Sequence, residues 1–185
     1  MEQPGDRHAA PEPLRLVQDL VNTVDLEDEA DELDSPEALI AWVRGRGVDP
    51  GPEGFDRAGL DAVLVLREAL RDACSAHAGT DIPPDSLAAL DGLLAAAPLR
   101  LAIDPLGAAT VLPAPAPGGV AALTARVAAV IAEATADGTW QRMKACAADT
   151  CRWVYYDRSP AGRSRWCSMA ICGSRAKMRA YRSRK

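Results

Sequence analysis

No stretch of about 18 residues in this 185-residue chain runs apolar without a charge, which argues against a membrane-spanning helix. The first 13 residues carry Glu2, Asp6 and Glu12 and lack an apolar segment, so they do not read as a secretory signal. They are expected to form a flexible, Pro-containing leader. The chain has no Gly-rich phosphate loop, no GxSxG elbow and no HExxH pair. Its two histidines, His8 and His77, have no nucleophile or ligand partner nearby in the sequence, and enzymatic chemistry is not expected. No internal repeat is present. Lysine is scarce as well, 3 residues against 18 Arg, and none lies before Lys144. What is abundant is apolar surface. With 48% hydrophobic residues the chain can bury a core, which excludes disorder throughout, and its length suits one domain or a domain with a small module.

A net charge of −5 conceals a sharp division. Residues 1–140 hold 9 Arg against 24 acids, a net of −15, whereas residues 141–185 hold 12 basic residues against Asp149 and Asp157, a net of +10. Such asymmetry predicts two parts with different partners, the basic one suited to a polyanion. Four of the five cysteines also fall in the basic part. The boundary is placed near Gly138–Trp140, giving a leader over 1–13, a first domain over 14–138 and a second over 140–185.

The acidic part reads as mainly α. Leu14, Val17, Leu20, Val21 and Val24 recur at helical steps, and Asp34-Ser35-Pro36-Glu37 has the chemistry of a helix start. Further helices are predicted over about 56–78, 85–97 and 119–136. Leu99–Ile103 and Ala109–Leu112 flank a turn and predict a small β-hairpin, followed by a stiff connector at Pro113, Pro115 and Pro117. The acid run from Glu27 to Glu32 reads as a solvated loop, and Cys74 as a small buried hydrophobe. One residue breaks the pattern. Arg67 falls on the apolar face of the 56–78 helix with Arg71 beside it, so its charge needs a buried carboxylate or an anionic ligand. Asp19, Asp25 and Asp28 are candidate carboxylates; a small-molecule pocket is the other reading.

Cys146-x4-Cys151-x15-Cys167-x4-Cys172 carries the strongest signal. Two close cysteine pairs across a short loop suit a tetrahedral thiolate site, and Zn²⁺ fits four sulfur ligands with no open catalytic position. A disulfide framework is disfavoured by the odd cysteine count and the lack of a secretion signal. An iron–sulfur cluster stays open, though nothing in the spacing favours it. Arg152–Tyr156 and Arg163–Trp166 are β-prone runs around the turn residues of 157–162 and predict a hairpin, with a helix following Cys172. Knuckle, hairpin and helix make a small treble-clef-like module whose folding depends on its metal.

With zinc bound the basic part keeps a charge near +8. Arg175, Arg179 and Arg182 share one helical face, Lys177, Arg184 and Lys185 widen it, and Arg163 and Arg165 come from the neighbouring run. These are the candidate DNA contacts, suited to phosphates and guanine edges of a major groove. A solvated basic tail, or docking onto the chain's own acidic part, is the competing reading.

Cys146–Cys151, Trp153-Val-Tyr-Tyr-Asp157 and Ser164–Arg175 together resemble the CGNR zinc-finger family of bacterial regulators, with Ser174 where that family has Asn. Leu16–Thr23, Pro36–Trp42 and Leu66–Leu70 resemble the ABATE domain of stress-induced transcription regulators. The resemblance implies a regulatory or ligand-sensing domain joined to a DNA-binding finger, with Asn22, Thr23 and Arg67 as pocket residues. The expectation is a cytoplasmic bacterial transcription regulator without enzymatic activity, binding DNA through zinc, sensing a small molecule, and acting through finger orientation or homodimer geometry. The alternative is an RNA-binding or protein-docking zinc module with no operator sequence.

Overall fold

The computed structural model describes residues 8–115 and 118–183. Helix α1 (Arg15–Val21) buries Val17, Leu20 and Val21, the face its spacing predicts. A short hairpin follows, β1 (Val24–Asp25) antiparallel to β2 (Ala30–Asp31). Of the acid run read as a loop, Glu27–Glu29 form its tip, where Asp25 Oδ1 accepts from the N–H groups of Glu27 and Asp28, whereas Asp31 lies in β2. Helix α2 (Pro36–Arg44) begins where Ser35 Oγ accepts from the Ala38 N–H, with Pro36 in the first turn.

Helix α3 (Arg57–Ala76) starts on the Asp56 side chain, which accepts from the Gly59 N–H at 2.7 Å. It packs against α1, α2, α4 (Pro84–Ala95) and α5 (Gly119–Ala136), and its buried face includes Leu60, Val63, Leu66, Leu70 and Cys74. Burial pushes the Cys74 thiol up to about 12, so it is an inert apolar group. Between α4 and α5 lies the expected hairpin, β3 (Leu99–Ile103) paired with β4 (Ala109–Pro113). Helix α5 has the length and apolar composition to cross a bilayer, yet it carries Arg126 and Glu133 and packs Leu123, Val127 and Val130 into the core. The leader is packed from Ala9 onward. Ala10 lies in the core with its N–H donated to Gln18 Oε1, and Arg158 bonds the Ala9 carbonyl. Residues 1–7 of the expected leader, Pro117 of the connector, and Arg184 and Lys185 of the basic patch lie outside the described residues.

After a 3₁₀ turn at Trp140–Arg142, β5 (Met143–Ala145) pairs antiparallel with β6 (Val154–Tyr156). This corrects the pairing read from sequence: the hairpin uses the strand before Cys146, and residues 163–166 form no strand. The reason is burial. Pairing 143–145 with 154–156 turns Met143, Ala145, Val154 and Tyr156 to one face, where they join the main core, and turns Tyr155 to the cysteine cluster. A π-helical turn at Met169–Gly173 then leads into α6 (Ser174–Arg182), which buries no residue. The mainly helical part with small hairpins and the four-cysteine module with its terminal helix are thus joined through one apolar core.

Candidate metal centre and its attachment

Two tight turns bring the cysteines together. Cys151 N–H donates to the Ala148 carbonyl in the first; in the second, Ser168 Oγ accepts from the Ile171 N–H and Gly173 N–H donates to Ser168. The four Sγ atoms lie within 4.8 Å of one another, and all four cysteines are free of disulfides. Cys151 Sγ is 3.6 Å from Cys167 Sγ, which is 3.7 Å from Cys172 Sγ. A tetrahedron with metal–sulfur bonds of about 2.3 Å has edges of about 3.8 Å, which these two separations match, so the donor set suits Zn²⁺. Gly173 leaves room beside the last ligand: a Cβ there would sit 2.9 Å from Met169 Sδ and 3.2 Å from Trp166 Cδ1, so any larger residue would displace the exposed Met169 side chain.

Without a cation these thiols cannot all ionise. Hydrogen bonds from Cys151 and Cys167 hold Cys146 far below its ordinary value, while the hydrogen bond to Cys146 pushes Cys151 up to about 12. Cys167 is raised by the same neighbours, and Cys172 chiefly by burial. The set is a site for a divalent soft cation, which replaces the retained protons.

The loop between the cysteine pairs is organised by Asp157, which the sequence offered only as a turn residue. Its carboxylate accepts from Ser159 N–H at 3.0 Å, Ser164 N–H at 2.9 Å and Lys144 Nζ at 3.1 Å. Burial alone would raise this carboxyl, but the hydrogen bonds from Ser159 and Ser164 outweigh it and hold the group well below the usual carboxylate range. Lys144, nearly fully buried, also donates to the Gly162 carbonyl. Asp157→Ala strands that ammonium, and we expect a cost of about 3–5 kcal/mol, read as a lowered urea midpoint at neutral pH.

Polar groups fasten the module to the helices. Asn22 on the end of α1 donates its Nδ2 to the Val154 carbonyl at 2.7 Å and accepts from the Val154 N–H at 2.9 Å, as a neighbouring strand would. Gln18 Nε2 reaches the same carbonyl, Arg71 bonds the carbonyls of Arg152 and Val21, and the His77 ring bonds the Met143 carbonyl at 2.7 Å. Arg152, at a left-handed φ of 48°, pairs with Asp72. Nothing local in the sequence signals these contacts, because each joins residues at least 50 positions apart.

Asn22, Thr23 and Arg67 come close together but are engaged internally. Arg67 donates from Nη1 to both carboxylate oxygens of Asp31 at 2.8 and 2.9 Å and to Thr23 Oγ1 at 3.2 Å, and from Nε to Glu68 at 2.9 Å. Its carboxylates are therefore Asp31 and Glu68, not Asp19, Asp25 or Asp28. Asp31 reaches it because the β1–β2 hairpin carries that acid back over α3. None of the cavities described here is lined by these three residues.

The basic residues are divided. Arg175, Lys177, Arg179 and Arg182 are exposed on α6; three of them line a shallow groove with Ile171 and Met178. Arg175 also pairs with Glu27 at the β1–β2 tip. Arg163 is exposed on the loop, and Arg165 lines a different cleft, facing Asp72, Asp81 and Asp149.

The model of the CGNR zinc finger matches residues 142–185. A second family model, ABATE, described as "Putative stress-induced transcription regulator", matches residues 14–138. The chain belongs to the ABATE family. Comparison with curated proteins finds no match. In this ABATE protein the family boundary falls within the 3₁₀ turn that precedes β5, and the four cysteines of the CGNR finger form its zinc site. Ser174, where the finger family has Asn, donates Oγ to the Met169 carbonyl at 3.1 Å and closes the π-helical turn.

Proposed function

We propose that this chain is a cytoplasmic bacterial transcription regulator that binds duplex DNA through zinc-held α6 and senses a small molecule in its ABATE domain. The observation that carries this reading is α6 itself. It starts immediately beyond the last zinc ligand, buries nothing, contains no acid and exposes Arg175, Lys177, Arg179 and Arg182. A helix fixed at its start and basic along its length suits phosphate contacts and entry into a major groove. Arg163 and Arg165, set on the loop, are secondary contacts to flanking phosphates. Competition binding on the zinc-loaded chain tests the reading: a duplex selected from a random pool should outcompete random duplex and single-stranded RNA. Equal competition by RNA, or no preference among nucleic acids, would favour an RNA-binding or protein-docking module instead.

Self-association belongs on the β3–β4 hairpin. Leu99, Leu101 and Ile103 alternate onto one face, with Leu101 64% and Ile103 69% exposed, and Leu106 caps the turn. A two-stranded sheet with an open apolar face is marginal alone. Arg100 and Asp104 are its sole charges, so it is a neutral patch through which two copies with strongly acidic domains can meet without repulsion. The expected result is a homodimer that Leu101→Glu with Ile103→Glu converts to monomer in light scattering. A wild-type monomer at micromolar concentration would overturn it.

A further inference from the structure

A cavity of about 420 Å³ opens between α1, the turn after α2 and α5, and Arg67 is not among its lining residues. Its volume lies within the range of small-molecule sites, about 300–1,000 Å³. Its wall is unusual for a domain of net charge −15. It gathers three guanidiniums, Arg15, Arg46 and Arg126, against the two carboxylates Glu12 and Asp19, and it has apolar surface from Leu16 and Val130.

The cations are underused. Asp19 is the carboxylate paired with Arg15 and with Arg46, at 3.6 and 3.5 Å, well beyond the ~2.8 Å of a well-made charged pair. Arg46 lies over the Trp42 ring at 3.9 Å and donates to the Trp42 carbonyl, but its buried Nε has no hydrogen-bond partner among the described residues. Neither has the indole Nε1 of Trp42. Arg126, on α5, forms no ion pair among the described residues and faces the same space. A buried donor left unmade costs free energy, and Arg126, exposed on the same wall, offers its guanidinium to an anion entering from solvent.

We infer that this cavity binds a small organic carboxylate, its carboxyl group held by Arg126 and Arg46 and its apolar body against Leu16 and Val130. The net charge of the wall, one positive, matches a monoanion, and the guanidinium fork matches a carboxylate bidentately. This deepens the ligand-sensing part of the proposed function and replaces Asn22, Thr23 and Arg67 as its place. The site also touches the finger's anchor. Arg15, Leu16 and Asp19 line the cavity from the same helix whose Gln18 and terminal Asn22 hold Val154, so a ligand that shifts α1 acts on the strand behind the zinc site.

The test uses the full zinc-loaded chain labelled with ¹⁵N, titrated with benzoate, and with benzyl alcohol as the neutral counterpart. Saturable shifts are expected at the Trp42 indole N–H and at the Nε–H groups of Arg46 and Arg126. Benzoate should bind about tenfold more tightly than benzyl alcohol, and Arg126→Ala should remove that advantage while leaving the melting temperature unchanged. Equal binding of acid and alcohol, benzoate affinity unchanged by Arg126→Ala, or shifts confined to Arg175 and Arg179 on α6 would each overturn the site. DNA binding is measured separately on the same sample without benzoate, so failure of the regulator reading and failure of this site are told apart.

Discussion

Cys172→Ser is expected to release zinc and to destabilise the helical part together with the finger, in one transition. An isolated finger draws about 10–16 kcal/mol of apparent free energy from its metal. Here that energy also supports the ABATE core, because Met143, Ala145, Val154 and Tyr156 of the metal-dependent hairpin are packed among its helices. Losing the hairpin's position would leave Asn22 and Arg71 without the Val154 and Arg152 backbone groups they bind. Far-UV circular dichroism during urea titration should show the helical signal melting at a markedly lower midpoint, and chelation of the wild type should reproduce it. An unchanged helical midpoint after zinc loss would show that the two parts are thermodynamically separate. The pH dependence has a definite sign. Three of the four thiols are pushed up in the metal-free set, Cys151 to about 12, while Cys146 is pulled down. About three protons must therefore leave when zinc binds at neutral pH, so affinity rises with pH and zinc is lost on acidification. Calorimetry in two buffers of different ionisation enthalpy counts those protons.

The elements legible in the sequence were those fixed by local chemistry. The Ser35-Pro36 start of α2, the span of α5 and the Leu99–Pro113 hairpin each follow from caps, period and turn residues within a few positions. The metal set was legible for the same reason, since each cysteine pair is closed by its own tight turn. The partner of β6 was not. Val154–Tyr156 is three residues long, and alternation over so short a run does not say which other strand it joins. The burial of Arg67 could be read from its place on the helical face, but not its partners, because Asp31 arrives through a hairpin hidden in an acid-rich segment. Asn22 shows the limit most clearly. Its side chain satisfies a strand edge 132 residues away, a contact set by tertiary packing.

Charge reversal at Arg175 and Arg179 separates α6 from the rest of the basic surface. The double variant Arg175→Glu, Arg179→Glu is expected to keep its zinc and its fold. Both side chains are exposed, and the Arg175–Glu27 pair is half-exposed and screened by solvent, so its loss should leave the fold intact. Its affinity for duplex DNA should fall on the order of a hundredfold near physiological salt, and the dependence of affinity on salt should become shallower by about two phosphate equivalents. Arg165→Glu provides the contrast. Arg165 faces Asp72, Asp81 and Asp149 in a cleft apart from the α6 groove, so as a secondary phosphate contact its reversal should lower affinity far less than the double variant does. Fluorescence anisotropy across a salt series distinguishes the two surfaces. Equal losses for both variants would mean that the overall positive field, and not this helix, holds the nucleic acid. No loss for the double variant would remove α6 from the interface altogether.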